Sequence, residues 1–110
     1  MQIPLQITFH DLAQSDAIEA EIRKRAEKLE RFHEHIIRCR VTVEPQGKHS
    51  HQGRRYDVHL DITVPAGEVI VARDHADEDV YVAIRDAFDS ATRQLEDLVR
   101  RRRGHVKPRG

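Results

Sequence analysis

The longest periodic stretch of the chain runs from Asp77 to Arg103. Val80, Ala83, Ile84, Ala87, Phe88, Ala91, Leu95, Leu98 and Val99 recur every three or four residues, the spacing that gathers side chains on one side of an α-helix. The opposite side carries Arg85, Asp89, Arg93, Glu96, Arg100 and Arg103, and the helix ends in an uninterrupted block, Arg100 to Arg103. A shorter helical pattern, Ile18, Ile22, Ala26, Leu29 and Phe32, ends near His33. It starts where Asp16 and Glu19 have the spacing of a capping box, with Ser15 as the alternative cap.

Elsewhere the period drops to two. Ile3, Leu5, Ile7 and Phe9 alternate with Pro4, Gln6, Thr8 and His10; Ile37, Cys39, Val41 and Val43 alternate with Arg38, Arg40, Thr42 and Glu44 between residues 36 and 44. Tyr56, Val58, Leu60, Ile62 and Val64 alternate with Asp57, His59, Asp61 and Thr63, and a short fourth strand is predicted from Glu68 to Ala72. Each alternation is that of a strand with one buried face. Between the second and third strands, Pro45 to Arg55 has two glycines and carries Lys48, Arg54, Arg55, His49 and His51, which predicts an exposed basic loop.

The resulting order, β-α-β-β-β-α, predicts a single α+β domain with a four-stranded sheet and both helices on one face. The first two strands should be parallel across a helical crossover and the last three an antiparallel meander. The uncovered face would present Thr8, His10, Arg38, Arg40, Thr42, Asp57, His59 and Asp61. Domain boundaries are expected at 1–103, with 104–110 as a flexible basic tail suggested by Gly104 and Pro108.

Charge changes this picture only through its distribution. The 110 residues hold 19 Lys+Arg and 19 Asp+Glu, a net charge of zero, so total charge gives no support for nucleic-acid binding. Winding the first helix puts Lys24, Lys28 and Arg31 on one flank and Arg25 at the border of the apolar stripe. Glu19, Glu27 and Glu30 fall mostly on the other flank, with Arg23 placed to pair with Glu19 or Glu27. In the second helix, Asp89 with Arg93 and Glu96 with Arg100 have the spacing of helical ion pairs, worth about 0.2–0.5 kcal/mol each. Those two pairs leave Arg101, Arg102, Arg103, Lys107 and Arg109 unaccounted for. A helix dipole favours a cation near the last turn by roughly 0.3–1 kcal/mol, and four in a row exceed that need.

Candidate chemistry is sparse. The single cysteine, Cys39, excludes an intramolecular disulfide, falls in an apolar phase and fits a reducing compartment. MQIPLQITFHDL lacks the features of a secretory signal, and no apolar run approaches the ~18 residues of a membrane span, so a soluble cytoplasmic protein with no membrane partner is expected. His33/His35 and His49/His51 form H-x-H pairs, but a metal site needs three or four converging ligands, and neither metal nor cofactor is expected. Asp57, His59 and Asp61 share a strand face without any nucleophile motif, so neither an enzyme nor a small-molecule substrate is expected. Phe9, Phe32 and Phe88 fall in buried phases, which leaves no platform for stacking bases. An RNA partner would be met through its phosphates by Lys and Arg.

Three stretches together resemble the ribosome hibernation-promoting factor and ribosome-associated inhibitor A family over nearly the whole chain: MQIPLQIT with the early D-x-x-E cap, IRKRAEKLERFHEHI, and DVYVAIRDAFDSATRQLEDL. The last, with its aromatic-x-A-I run and R-Q-L, is the most specific. The resemblance implies a domain similar in topology to double-stranded RNA-binding domains. It also implies a function: occupying the decoding channel of the small ribosomal subunit and blocking messenger and transfer RNA under stress or in stationary phase. Ribosomal RNA is then the partner. The family's basic positions fall on Arg25 and Lys28 in the first helix and on Arg93 in the second. By location we add Lys24, Arg31, Arg85, Arg100, Arg101, Arg102, Arg103 and the loop residues Lys48, Arg54 and Arg55. The chain departs from the pattern in its neutrality and in Ser90, where some members carry lysine. Ending at Gly110, it compares with the short members. The competing reading is a protein-interaction module on the same scaffold that no longer binds ribosomes.

Overall fold

The computed structural model describes residues 4–33, 35–46, 55–65 and 68–106, apart from the side chains of Asp74 and of residues 104–106. The elements are β1 (Leu5–Phe9), α1 (Asp16–Phe32), β2 (Arg38–Gln46), β3 (Arg55–Thr63), β4 (Val69–Asp77) and α2 (Val80–Val106). The sheet order is β1-β2-β3-β4, with β1 and β2 parallel and the other two pairings antiparallel. This is the α+β arrangement that the alternation predicts. Ile3, residues 47–54 with Lys48 and Arg54, Ala66–Gly67 and residues 107–110 lie outside the described residues.

One face of the sheet and one side of each helix form the core. Cys39, Val41 and Val43 of β2 and Val58, Leu60 and Ile62 of β3 are fully buried, against Ile22 and Ala26 of α1 and Ala83, Ile84, Ala87, Phe88 and Ala91 of α2. Strict alternation makes this possible: the odd positions of β2 and the even positions of β3 meet in register as Cys39↔Ile62, Val41↔Leu60 and Val43↔Val58. A one-residue slip of either strand would turn its three core side chains to water.

Several boundaries differ from the sequence reading, each for a local reason. Ser15, not Asp16, caps α1: its hydroxyl accepts from the Ile18 N–H at 3.2 Å, and the Ser15 carbonyl accepts from the Glu19 N–H. Glu19 is instead engaged by Arg23. β2 extends through Pro45 and Gln46, and Arg55 stands in β3 rather than in the loop. Proline is tolerated there because β1 pairs no further than Val43, so beyond that point β2 is an edge. β4 reaches Asp77 instead of stopping at Ala72. The register passes from Leu60↔Ala72 to Val58↔His75, so Arg73 and Asp74 together oppose His59. That β-bulge breaks the period of two and hides the second half of the strand from a pattern search.

α2 begins at Val80, after Asp79 accepts from the Tyr81 N–H at 2.9 Å, and it continues past Arg103 to Val106. Three residues expected in the core are exposed: Phe32 (70% exposed), Ile37 (46%) and Val99 (40%). Ile36 is buried in place of Ile37, because regular pairing starts only at Arg38, and the connection from α1 turns Ile36 inward.

The Cys39 thiol is pushed up to about 12 from its ordinary 9.0, first by burial and then by the negative charge of Asp61. A thiol held neutral in the fold stabilises it below the unfolded pKa, and this contribution is lost as pH rises from about 9 towards 12. Accordingly, native protein should react with a thiol reagent at pH 8 only at the rate of unfolding, and stability should fall above pH 9 less steeply in Cys39→Ala. Ser15→Ala should cost about 0.5–2 kcal/mol in denaturant titrations, whereas Asp16→Ala should cost less.

Candidate nucleic-acid interface

The covered face of the sheet fixes where the helices present their polar sides. In α1, Ile22, Ala26 and Leu29 point inward, which turns Lys24 and Arg31 out to solvent and sets Arg25 and Lys28 on the flank towards α2. In α2 the same rotation of about 100° per residue groups Arg85, Arg93, Arg100 and Arg103 on the side towards α1. Arg101 falls on the side towards β4, where it and Gln94 flank Ile70.

Between the helices lies a cleft of about 430 Å³, lined from α1 by Arg25, Lys28, Leu29, Phe32 and His33 and from α2 by Phe88, Asp89, Thr92 and Glu96. Its lower end continues past Phe32 and His33 to Val99, Arg100 and Arg103. Cations from both helices thus border one groove, although Asp89 and Glu96 make its α2 wall mixed in sign.

The ion pairs decide which cations are available. Arg25 is held by Glu21 at 2.8 Å and is half-buried; Arg85 is held by Asp86 at 3.1 Å. Arg100 pairs with Asp97 at 2.6 Å, three residues away, and not with Glu96 as its spacing suggests. Arg93 does not pair with Asp89. Lys24, Lys28, Arg31, Arg93, Arg101 and Arg103 are exposed and form no ion pair among the described residues.

Two of the expected binding residues already hold contacts within the fold. Arg102 reaches 34 residues back to Glu68 at 3.1 Å and donates to the Pro65 carbonyl at 3.2 Å, tying α2 to the β3–β4 connection. Arg55 donates to the Ala76 carbonyl at 3.2 Å, across the end of the sheet from the helical cleft. Lys48 and Arg54 lie outside the described residues. Sequence reasoning missed Phe32 and His33 as cleft residues. The signal was present in Phe32's position on the last turn of α1, where little remains to cover an apolar side chain.

These features define a small α+β domain whose two-helix layer carries exposed cations without ion pairs among the described residues, two of them, Lys28 and Arg103, lining the groove between the helices. The chain belongs to the family described as Sigma 54 modulation protein / S30EA ribosomal protein, whose sequence model matches residues 5–103. In fold it is similar to a ribosomal subunit interface protein from Coxiella burnetii, with TM-score 0.74 and 17% identity over 87% of this chain and 97% of that one. It is also similar to the N-terminal domain of Protein Y from Thermus thermophilus, with TM-score 0.63 and 21% identity over 89% and 99% of the two chains. No curated protein matches the chain by sequence.

Replacing Arg102 with alanine should lower stability by about 0.2–1 kcal/mol, as for other partly exposed pairs. Arg103→Ala, which removes no described partner, should leave the denaturation midpoint unchanged.

Proposed function

We propose that the chain is a ribosome-binding translation inhibitor of the hibernation class. In this reading the domain formed by residues 1–103 occupies the decoding channel of the small ribosomal subunit in the cytoplasm. It thereby excludes messenger and transfer RNA under stress or in stationary phase. The role is non-catalytic. Family membership across residues 5–103 carries the reading, and the unpaired cations of the helical layer supply a surface for it.

The layout of the domain agrees with such a partner. Two helices on one face of a β-α-β-β-β-α sheet are similar to double-stranded RNA-binding domains, which meet folded RNA through phosphates and shape rather than bases. Lys28 lines the α1–α2 groove and Arg103 its continuation, with Lys24, Arg31 and Arg93 extending the contact over the exposed side of the helical layer. Arg25, Arg85 and Arg100 would exchange an existing carboxylate for a phosphate, which reduces their net contribution. Arg55 and Arg102 would likewise give up contacts within the fold to meet a phosphate. A neutral protein with these few free cations should bind with a moderate salt dependence, since each phosphate contact adds about one unit to the slope of log K against log salt.

Co-sedimentation of the purified chain with small ribosomal subunits at two salt concentrations tests this. Stoichiometric binding that weakens with salt is expected, and Lys28→Glu with Arg93→Glu should abolish it. Unchanged affinity in that double variant would show that the helical layer is not the contact surface. A complex that survives nuclease and high salt would instead identify a protein-interaction module.

A further inference from the structure

The uncovered face of the sheet holds a second cluster, unrelated to the helical groove. Glu44 of β2 stands directly opposite Asp57 of β3 in register, an arrangement of like charges that destabilises a strand pair. Both carboxylates converge on one imidazole nitrogen: His59 Nε2 lies 2.9 Å from Glu44 Oε2 and 3.4 Å from Asp57 Oδ2. One ligand atom from each residue falls within 4.8 Å of the other two. From the end of β1, His10 Nδ1 approaches the other oxygen of Glu44 at 3.1 Å.

A second, independent observation is that this polar cluster is starved of partners. Asp57 is only 9% exposed, and its Oδ1 is buried without a hydrogen bond. His59 Nδ1 and Asp61 Oδ1, on the same face, are buried and unpartnered as well. Buried polar groups normally find partners, and a buried carboxylate without compensation is costly. Among the described residues no Lys or Arg pairs with Glu44 or Asp57, and Arg55 is spent on a backbone carbonyl. One proton on His59 would compensate one carboxylate, whereas a divalent ion would compensate both.

We propose that Glu44, Asp57 and His59 form a binding site for a zinc-like divalent cation, with His10 adjoining as a fourth ligand or as a partner of Glu44. Zinc bonds of about 2.0–2.2 Å in tetrahedral geometry set ligand atoms roughly 3.3–3.6 Å apart, close to the 2.9 and 3.4 Å that separate His59 Nε2 from the two carboxylates. One imidazole and two carboxylates form a donor set suited to zinc, and less to magnesium, which demands octahedral oxygen ligation. The ion would pin β2 to β3 two residues before β2 ends, where the chain leaves for the segment bearing Lys48 and Arg54. The proposal stands apart from ribosome binding, because the cluster lies on the sheet face turned away from both helices.

The test is calorimetric titration of the untagged, metal-free full chain with Zn²⁺ alone, and with Mg²⁺ as a control. One Zn²⁺ per chain is expected, with affinity reduced about tenfold or more in Glu44→Gln and in His59→Gln. Glu44→Gln should also raise the melting temperature of the metal-free protein by removing the like-charge pair, so lost binding there cannot be ascribed to unfolding. His49→Ala with His51→Ala should bind as the unaltered chain does. Absence of Zn²⁺ binding, binding no tighter than that of Mg²⁺, or binding undiminished by Glu44→Gln and His59→Gln would overturn the site.

Discussion

The structure depends on covering one face of a four-stranded sheet. Cys39, Val41, Val43, Val58, Leu60 and Ile62 present a continuous apolar surface, and burying such side chains contributes about 1.5–3 kcal/mol each. The inward stripe of α2 runs from Val80 to Leu98, and the shorter stripe of α1 completes the cover. Once these stripes are committed inward, every remaining charge has only two places to go, the outer side of the helical layer or the uncovered face of the sheet. The net neutrality of the chain therefore conceals two surfaces of different character. The outer side of the helical layer carries exposed cations without ion pairs among the described residues, whereas the sheet carries a clustered pair of carboxylates around a histidine.

Much of this architecture was legible because the burial pattern is local. Alternation in β2 and β3 and the three-four spacing in both helices fixed element types, order and the core residues without reference to partners. What failed was non-local or sub-periodic. The bulge opposite His59 erased the alternation of β4. The choice between Ser15 and Asp16 turned on one side-chain hydrogen bond, and the exposure of Phe32, Ile37 and Val99 on how far each element extends over its neighbour.

The site followed the same division. Winding alone grouped Lys24, Lys28 and Arg31 on one flank of α1, but the cleft that Lys28 lines and the other two do not emerged only once α2 was packed beside it. Nor could winding show that Arg102 is claimed by Glu68, 34 residues away, or that Arg100 prefers Asp97 to Glu96. Likewise Asp57, His59 and Asp61 read as an ordinary polar strand face until the β2–β3 register brought Glu44 against them. Chemistry that depends on two strands meeting is invisible to a pattern carried by either one.

The bulge in β4 has a further consequence for the protein in a crowded solution. β4 is a border strand, and its outward row includes the exposed valines Val69 and Val71. A long, flat, apolar border strand invites another chain to add itself to the sheet. Here Gln94 of α2 donates to the Val71 carbonyl at 2.9 Å, occupying an acceptor that an incoming strand would need, and the irregularity at Arg73 and Asp74 interrupts the straight ladder beyond it. The sheet thus ends at four strands for two reasons, a side chain that plugs its border and a kink that bends the rest of it out of register with any template.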